Sequence, residues 1–306
     1  MINNFSKSTP FISIIIPTYN RPEQLATCLE SLIELDYPHN CFEVIVVDDG
    51  SKTSLESVVA PFTSQLDVTL LRQINNGAAS ARNTGAKQAK GEFLAFTDDD
   101  CMPAADWLKT LAANFIQAPN CLIGGRTINI LSKNIYSTAS QELIDYVYKY
   151  YNTKPHKARF FASNNIALSK ERFLAIGGFD ITYLRMASED RELCDRWLQK
   201  GYLMLYAPEV QINHAHHLSL ISFWQQHFFY GRGAFCFHKI RAKRAAAPIR
   251  IEPLSFYINL FTYPLSISKF PRGLVISTLL FLSQLAATFG FFSERLTQTK
   301  NIRASN

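Results

Sequence analysis

Short apolar runs rich in β-branched residues alternate with longer segments of helical spacing over the first 130 residues. Uninterrupted apolar runs are typical of strands buried on both faces, and their alternation with helices predicts a parallel sheet. Asn20 is expected to cap the first helix. The pattern predicts an α/β fold with a Rossmann-like, mostly parallel sheet flanked by helices. We predict strands at 11–17, 42–51, 68–72 and 92–97, and helices at about 20–35, 54–62, 76–91 and 104–115.

Beyond residue 130 the pattern becomes mixed. Helical spacing recurs over 134–152, and a strand followed by a short helix is expected within 159–180. A further helix is predicted to begin near residue 188 with an acidic first turn and to end at Gly201. A strand and a turn at Pro208 should follow it.

Polar residues stand where three of the first four predicted strands end. These ends are Pro17-Thr18-Tyr19-Asn20, Asp48-Asp49-Gly50-Ser51 and Asp98-Asp99-Asp100. In an open α/β sheet the carboxyl ends of the strands lie along one edge, where ligands bind. We therefore expect the three polar clusters to converge on one crevice. The alternative is three independent solvated turns, in which Asp is common.

The two acidic clusters suggest a hard divalent cation. Mg²⁺ and Mn²⁺ commonly bridge one or two carboxylates to the phosphates of a substrate. The charge of such a cation would also offset the repulsion among Asp98, Asp99 and Asp100. The sequence contains neither a G-x-G-x-x-G motif after the first strand nor a G-x-x-x-x-G-K-[ST] motif. A nucleotide held by its metal-bound diphosphate is therefore expected, rather than an NAD-type dinucleotide.

Charge and hydropathy set the C-terminal part apart from the rest. From Gly231 onward the sequence has 11 Lys and Arg residues and only two acids, Glu252 and Glu294, which gives a net charge of +9. Since the whole chain has a net charge of +6, residues 1–230 have a net charge of −3. This basic region is also the most apolar, which favours an anionic membrane surface over nucleic acid as its partner. The uncharged segment Leu274–Phe292 approaches the ~20 residues that a membrane span needs, and 254–268 could lie in the interface. The alternative is a pair of helices packed on the preceding α/β part of the chain.

The remaining features point to the cytosol. The six cysteines have no C-x-x-C pair and no metal-ligand spacing, so we expect reduced thiols. The first ten residues are polar, and no signal peptide is evident.

Six segments carry a resemblance to a known family. They are SIIIPTYNR, VIVVDDGS, NNGAASARNTGAKQAKGEFLAFTDDD, SNNIALSKERFLAIGGFD, SEDRELCDRWLQKGY and APEVQINH, between residues 13 and 214. In order and approximate spacing they resemble the motifs of the family 2 inverting glycosyltransferases, which have the GT-A fold. The resemblance implies transfer of a sugar from a nucleotide-diphosphate sugar to an acceptor hydroxyl of a glycan, polysaccharide or lipid-linked molecule, with Mn²⁺ or Mg²⁺. It also implies a catalytic domain at 11–217, preceded by an extension (1–10) and followed by an amphipathic basic linker (218–253) and a membrane-associated tail (254–306).

The resemblance further assigns roles to individual residues. Asp190 would be the general base, with Glu189 as its neighbour, and the metal would be held by Asp98, Asp100 and His214. The turn Gly177–Asp180 would shape the acceptor side, unless it is an ordinary end of a helix. The residues implied in donor binding are Pro17, Thr18, Tyr19, Asn20, Arg21, Asp48, Asp49, Arg82, Asp98 and Asp99.

Each of several residues also has a purely structural alternative to its functional role. Arg82 could be a helix-surface arginine, Glu189 and Asp190 could be first-turn acids that stabilise a helix dipole, and His214 could be structural. For the whole protein the alternatives are a metal-dependent nucleotidyltransferase on a related fold and a non-catalytic protein that binds a membrane surface. As a glycosyltransferase, the protein would act at the cytoplasmic face of a membrane, anchored by its C-terminal tail.

Overall fold

A computed structural model describes residues 9–183, 187–245 and 252–304. Among these residues eight strands form one sheet in the order β3-β2-β1-β4-β7-β6-β8-β5. The strands are β1 (Ile12–Thr18), β2 (Phe42–Asp48), β3 (Val68–Arg72), β4 (Phe93–Phe96), β5 (Cys101–Pro103), β6 (Leu122–Asn129), β7 (Ile166–Ser169) and β8 (Met204–His214).

The sheet is mixed rather than mostly parallel. β1 pairs in parallel with β2 and β4, and β2 pairs in parallel with β3, as the β-α pattern predicts. Every residue of β1 and β2 is buried, which confirms the prediction of strands covered on both faces. β7 runs antiparallel to β4 and β6, and β5 runs antiparallel to β8. The short β5 and the strand β6 were not predicted.

Ten helices lie in the described residues. Their bounds are α1 (Pro22–Ile33), α2 (Glu56–Val59), α3 (Ala78–Gln88), α4 (Trp107–Gln117), α5 (Ile135–Tyr151), α6 (Lys170–Ala175), α7 (Glu189–Gln199), α8 (Leu220–Ala245), α9 (Leu254–Ile267) and α10 (Arg272–Ala304).

Two local predictions are wrong. The residue before α1 is Arg21, and no side chain caps this helix. Asn20 instead has a φ of 55° and accepts a hydrogen bond from the backbone N–H of Lys52. Pro208 lies within β8 and not in a turn.

The buried amide of Asn165 joins three segments around the antiparallel half of the sheet. Its Nδ2 donates to the carbonyls of Arg126 and Val210, and its Oδ1 accepts from the indole N–H of Trp107. Gly125 lies so close to Val210 that an added Cβ would stand 2.1 Å from the Val210 carbonyl oxygen. These contacts fix β8, the strand that ends at His214.

The chain divides into two compact units. The first contains the described residues up to Ile128 together with Asn152–Ile181 and Leu193–Ala215, and the second contains Asn129–Tyr151, Thr182–Glu192 and the residues from His216 onward. The core of the first unit surrounds β1 and β2. A core of the second unit combines residues of α5, α8, α9 and α10.

The apolar C-terminal segments are helical. α9 covers the predicted segment 254–268, whereas α10 is longer than the predicted Leu274–Phe292. In the described part of the chain, Arg272–Thr299 is the one helical segment that is long and apolar enough to cross a membrane.

Candidate active site

The three adjacent aspartates lie directly after β4, at the carboxyl edge of the parallel half of the sheet. Asp99 and Asp100 are buried, and the side chain of Asp98 is 30% exposed. Each carboxylate has its own partners, which offset part of the repulsion within the cluster. The turn is therefore not a solvated one.

Asp99 is held by the last residue of β1 and by a residue of the loop after it. Its carboxylate accepts a hydrogen bond from Thr18 Oγ1 at 2.8 Å and from Arg21 Nη1 at 3.1 Å. Burial raises the pKa of Asp99 to about 6, although Arg21 and the Thr18 hydroxyl oppose the rise. Arg21 Nη1 also lies 3.1 Å from Asp100 Oδ2, so that this guanidinium bridges two acids of the cluster. The structure thus brings together two of the predicted polar strand ends.

Asp100 meets His214, the histidine predicted as a metal ligand. Oδ1 of Asp100 lies 3.2 Å from Nε2 of His214. The two side chains are among those that offer ligand atoms close enough for a metal ion. The contact follows from strand pairing, because β5 begins at Cys101 and β8 ends at His214, its partner in the register.

Asp98 is paired with Arg82, whose side chain is only 4% exposed. Arg82 Nη2 lies 2.6 Å from Asp98 Oδ1, and its guanidinium carbon lies 5.5 Å from the centre of the Phe179 ring. Arg82 is therefore not a helix-surface arginine. It orients the first aspartate of the cluster.

Asp49 organises the loop that leads into α3. Its carboxylate accepts hydrogen bonds from Gln73 Nε2 and from the backbone N–H groups of Asn76 and Gly77, at 2.7 to 2.9 Å. Asp48 accepts from the backbone N–H of Ser51 at 2.8 Å, and Arg72 Nε lies 3.7 Å from it. Both acids are buried in this structure and support the loops after β2 and β3.

The residues after β1 are joined to those after β2. The backbone N–H of Asn20 donates to Ser51 Oγ at 2.8 Å, and Asn20 Oδ1 accepts from the Lys52 N–H at the same distance. Pro17 is buried within β1, while the Tyr19 ring is 45% exposed beside this junction. An exposed aromatic ring at a ligand-binding edge is free to stack on a flat ligand.

The turn Gly177–Asp180 is tied to its surroundings on two sides. Asn83 accepts from the N–H of Phe179 and donates to its carbonyl, both at 2.8 Å. Arg196 donates to the carbonyls of Ile176 and Gly178. Both glycines have a positive φ. The turn thus ends α6, and it also fixes Phe179, the ring over which Arg82 lies.

Sequence reasoning did not single out Asn83 or Arg196. Both lie inside motifs that carry the family resemblance, directly after Arg82 and within the helix that begins at Glu189. Their role depends on contacts with a distant turn, and no local pattern signals that.

Glu189 and Asp190 belong to the second unit and open α7. Asp190 Oδ1 accepts from the N–H of Arg191 at 2.6 Å, and Glu189 Oε2 accepts from the N–H of Ser188 at 3.2 Å. Ser188 has a φ of 113°, which is rare for a residue with a side chain. Backbone strain of this kind tends to occur at functional sites.

The donor set of the first unit fits a hard divalent cation. Asp98 and Asp100 supply carboxylate oxygens, which suit Mg²⁺ and Mn²⁺, and His214 supplies an imidazole nitrogen. Asp100 and His214 already lie within the distance at which two ligands can share one ion.

Two family descriptions match this chain. Residues 13–177 match Glycosyl transferase family 2, and residues 144–219 match the N-terminal domain of galactosyltransferase. The first match contains every predicted donor-binding residue and the acidic cluster.

Curated relatives match part of the chain. An uncharacterized glycosyltransferase of Haemophilus influenzae is 35% identical over 202 residues, which cover 62% of this chain and 62% of that protein. Glycosyltransferase AglE of Haloferax volcanii is 35% identical over 122 residues, or 39% of this chain and 40% of AglE. Hyaluronan synthase of Pasteurella multocida is 30% identical over 224 residues, covering 62% of this chain and 23% of the synthase. The chain thus spans less than two thirds of the length of these relatives.

Solved structures share the fold. The mannosyltransferase PcManGT from Pyrobaculum calidifontis, in complex with GDP-Man and Mn²⁺, has a TM-score of 0.64 at 19% identity, covering 94% of this chain and 88% of that one. Residues 1–349 of Staphylococcus aureus TarS, in complex with UDP-GlcNAc, have a TM-score of 0.54 at 15% identity, covering 95% of this chain and 92% of that one. At such identities the likeness shows the fold alone, and it confirms the GT-A fold predicted from the sequence.

Proposed function

Because the chain belongs to glycosyltransferase family 2, we propose that it moves a sugar from a nucleotide-diphosphate sugar to an acceptor hydroxyl, with inversion at the anomeric carbon and a divalent cation. The membership confirms the resemblance seen in the motifs. It supports a glycosyltransferase over the two alternatives, a nucleotidyltransferase and a non-catalytic binding protein.

The observation that carries the proposal is the contact between Asp100 and His214 beside two further aspartates. The Asp100 carboxylate, directly before β5, and the His214 imidazole, at the end of β8, would be two ligands of a cation. Asp98 adds a second carboxylate. Bound there, Mn²⁺ or Mg²⁺ supplies Lewis-acid stabilisation of the charge that develops on the departing diphosphate.

The remaining groups of the first unit would hold the nucleotide. The Tyr19 ring, with Pro17 behind it and Asp48 and Asp49 after β2, would contact the base and ribose. The end of β1 and the loop after it would also contact the donor. There, Thr18 and Arg21 are hydrogen-bonded to Asp99, and Asn20 is hydrogen-bonded to Ser51. Arg82 would keep Asp98 turned toward the diphosphate. Because these groups are assigned to the nucleotide, acceptor binding is assigned to other residues of the chain.

Asp190 would act as the general base, with Glu189 beside it. Its carboxylate takes the proton of the acceptor hydroxyl while the hydroxyl oxygen bonds to the anomeric carbon. The bond from that carbon to the diphosphate oxygen breaks, and the nucleoside diphosphate leaves with the electron pair. One displacement of this kind inverts the anomeric centre.

The acceptor is proposed to be a glycan, polysaccharide or lipid-linked molecule at the cytoplasmic face of a membrane. Relatives named hyaluronan synthase and chondroitin synthase support a glycan. The basic, apolar residues from Gly231 onward support a membrane location.

The test is release of nucleoside diphosphate from a panel of nucleotide sugars by the full-length protein, with Mn²⁺, with Mg²⁺ and with a chelator. We expect turnover for at least one donor with the cation and none with the chelator. Asp106→Ala, at an exposed acid before α4, is the matched control and should keep full turnover. Undiminished turnover in the chelator, or release of pyrophosphate, would contradict the proposal.

A further inference from the structure

The helix α10 is apolar on two opposite sides, one buried and one exposed. Side chains within the second unit cover Ile276, Leu280 and Ala286, each with no exposed area. Phe289 is 62% exposed and Phe292 51%. Further exposed apolar residues extend this side along the helix, namely Leu274, Phe281, Leu285 and Leu296. Such a stripe needs an apolar environment, which water does not provide.

The first half of α10 packs against α5, a helix with charged residues. Ile276 and Leu280 share a core cluster with Ala139 and Tyr146 of α5. Arg272 Nη2, at the start of α10, donates to the carbonyl of Ser132 at 2.6 Å. Along its 17 residues α5 carries Glu142, Asp145 and Lys149.

The second half of α10 packs closely against α8. A Cβ added to Gly290 would stand 1.9 Å from the carbonyl oxygen of Phe228, so the two backbones nearly touch. Further along, Arg232 donates to Glu294 through Nε at 2.8 Å and Nη2 at 2.7 Å. Lys239 Nζ donates to Gln298 Oε1 at 2.5 Å. From Arg232 onward α8 carries five Lys and Arg residues.

These neighbours make a membrane crossing by α10 costly. If α10 crossed the hydrocarbon layer, α5, which packs along the first half of α10, would have to enter that layer together with Glu142, Asp145 and Lys149. A charged side chain at the centre of a bilayer costs several kcal/mol. In the interface, only the exposed apolar side of α10 enters the lipid, while the helices that cover its buried side keep their charged residues outside the hydrocarbon.

We propose that α10 lies in the plane of the membrane surface and does not cross it, with its exposed stripe in the outer part of the hydrocarbon. α9 adds Leu254, Ile258 and Leu265 as exposed apolar residues of the same unit. Within the stripe, Thr278 and Thr288 donate their hydroxyls to the carbonyls four residues back. Their donors are therefore satisfied without water, as lipid contact requires.

Charge identifies an anionic leaflet as the occupant of this surface, rather than a second copy of the chain. From Pro253 to the end the sequence has one acid, Glu294, which is buried and paired with Arg232. The exposed cations Lys269, Arg272 and Arg295 adjoin the apolar stripe. Two copies joined through this face would bring like charges together, whereas phosphate headgroups complement them.

The inference deepens the proposed function only in its membrane location, so its test does not use turnover. Flotation of full-length protein with vesicles of phosphatidylcholine and phosphatidylglycerol measures binding. We expect Phe289→Gln and Phe292→Gln each to weaken partitioning roughly tenfold. Leu203→Gln, at a 55% exposed apolar position of the first unit, should leave binding unchanged.

A labelling experiment distinguishes a helix that lies in the plane of the membrane surface from one that crosses the membrane. Lys269→Cys, just before α10, and Thr299→Cys, beyond its last exposed apolar residue, place a thiol on either side of the apolar stripe. The background has the half-buried Cys41 replaced by serine. On sealed vesicles to which the protein was added from outside, a membrane-impermeant maleimide should label both positions.

Three results would overturn the inference: protection of one end until detergent is added, absence of vesicle binding, or a dimer that the two phenylalanine substitutions dissociate. Loss of transferase activity with intact flotation and two-ended labelling would count against the proposed function alone.

Discussion

Nε2 of His214 lies 3.2 Å from Oδ1 of Asp100, because the last residue of β8 pairs with the first residue of β5. Four residues link β4 to β5, and the last of them, Asp100, lies against a histidine from a strand far along the chain. The pairing thus places two side chains that can ligate a cation within reach of one ion.

The first prediction concerns this pair. Asp100→Ala should lower kcat/KM by roughly 10³-fold, because it removes a carboxylate ligand of the cation that stabilises the leaving diphosphate. His214→Gln should raise the Mn²⁺ concentration for half-maximal turnover by roughly 10- to 100-fold. Steady-state kinetics over a range of Mn²⁺ concentrations measures both effects, with Asp106→Ala as the control. Unchanged Mn²⁺ dependence in His214→Gln would show that the histidine is structural.

The second prediction separates the general base from donor binding. Asp190→Asn keeps the size of the side chain and removes its basicity, so kcat should fall by roughly 10²-fold or more while donor affinity stays the same. Donor affinity is measured by calorimetric titration of the nucleoside diphosphate with Mn²⁺. Asp195→Asn, on the following turn of α7, is the matched control and should retain kcat. A loss of donor affinity in Asp190→Asn would place this residue in the donor site instead.

The third prediction concerns the link from Phe179 through Arg82 to Asp98. Arg82→Lys keeps the charge but loses the planar group that contacts the carboxylate and the ring together. We expect Asp98 to become less well oriented and the Mn²⁺ requirement to rise roughly tenfold. Arg172→Lys provides the comparison, because Arg172 lies 4.4 Å from the Tyr202 ring in the same unit. Equal effects of the two substitutions would point to general destabilisation.

The parallel half of the sheet could be predicted because its signals are local. β1 and β2 are apolar runs whose burial follows from composition, and the polar clusters after them mark the edge where they end. The acidic cluster was identified for the same reason. Its three residues are adjacent in the chain.

The antiparallel half could be predicted only in part: strands were expected within 159–180 and after Gly201, whereas β5, β6 and the antiparallel pairing were not. β5 has three residues, and β8 continues through Pro208, a residue that usually interrupts a strand. The position of β8 beside β6 depends on long-range contacts such as those of Asn165, which no periodicity reveals. The contacts of Asn83 and of the Asp49 carboxylate could not be predicted for the same reason. Asn83 binds Phe179 and Asp49 binds Gly77, and these partners are distant in the sequence.

The last prediction is a pH dependence of stability that arises in α5. Glu142 is buried in the second unit, and burial together with the nearby Asp145 raises its pKa to about 7, against the opposing effect of Arg272 and a hydrogen bond with Ser268. A carboxyl group with a pKa higher in the folded than in the unfolded state binds more protons when folded. The free energy of unfolding therefore decreases as pH rises from the ordinary value of about 4.5 to about 7, and the cost is complete above that range.

Glu142→Gln removes this titration. The variant should be more stable than the unchanged protein by roughly 1 to 3 kcal/mol at about pH 8, and nearly equal to it at about pH 5. Thermal unfolding of the detergent-solubilised protein across this range measures the difference, with Glu30→Gln, at an exposed position of α1, as the control substitution. Equal stabilisation at both pH values would mean that the amide improves packing or hydrogen bonding, and that Glu142 does not titrate in this window.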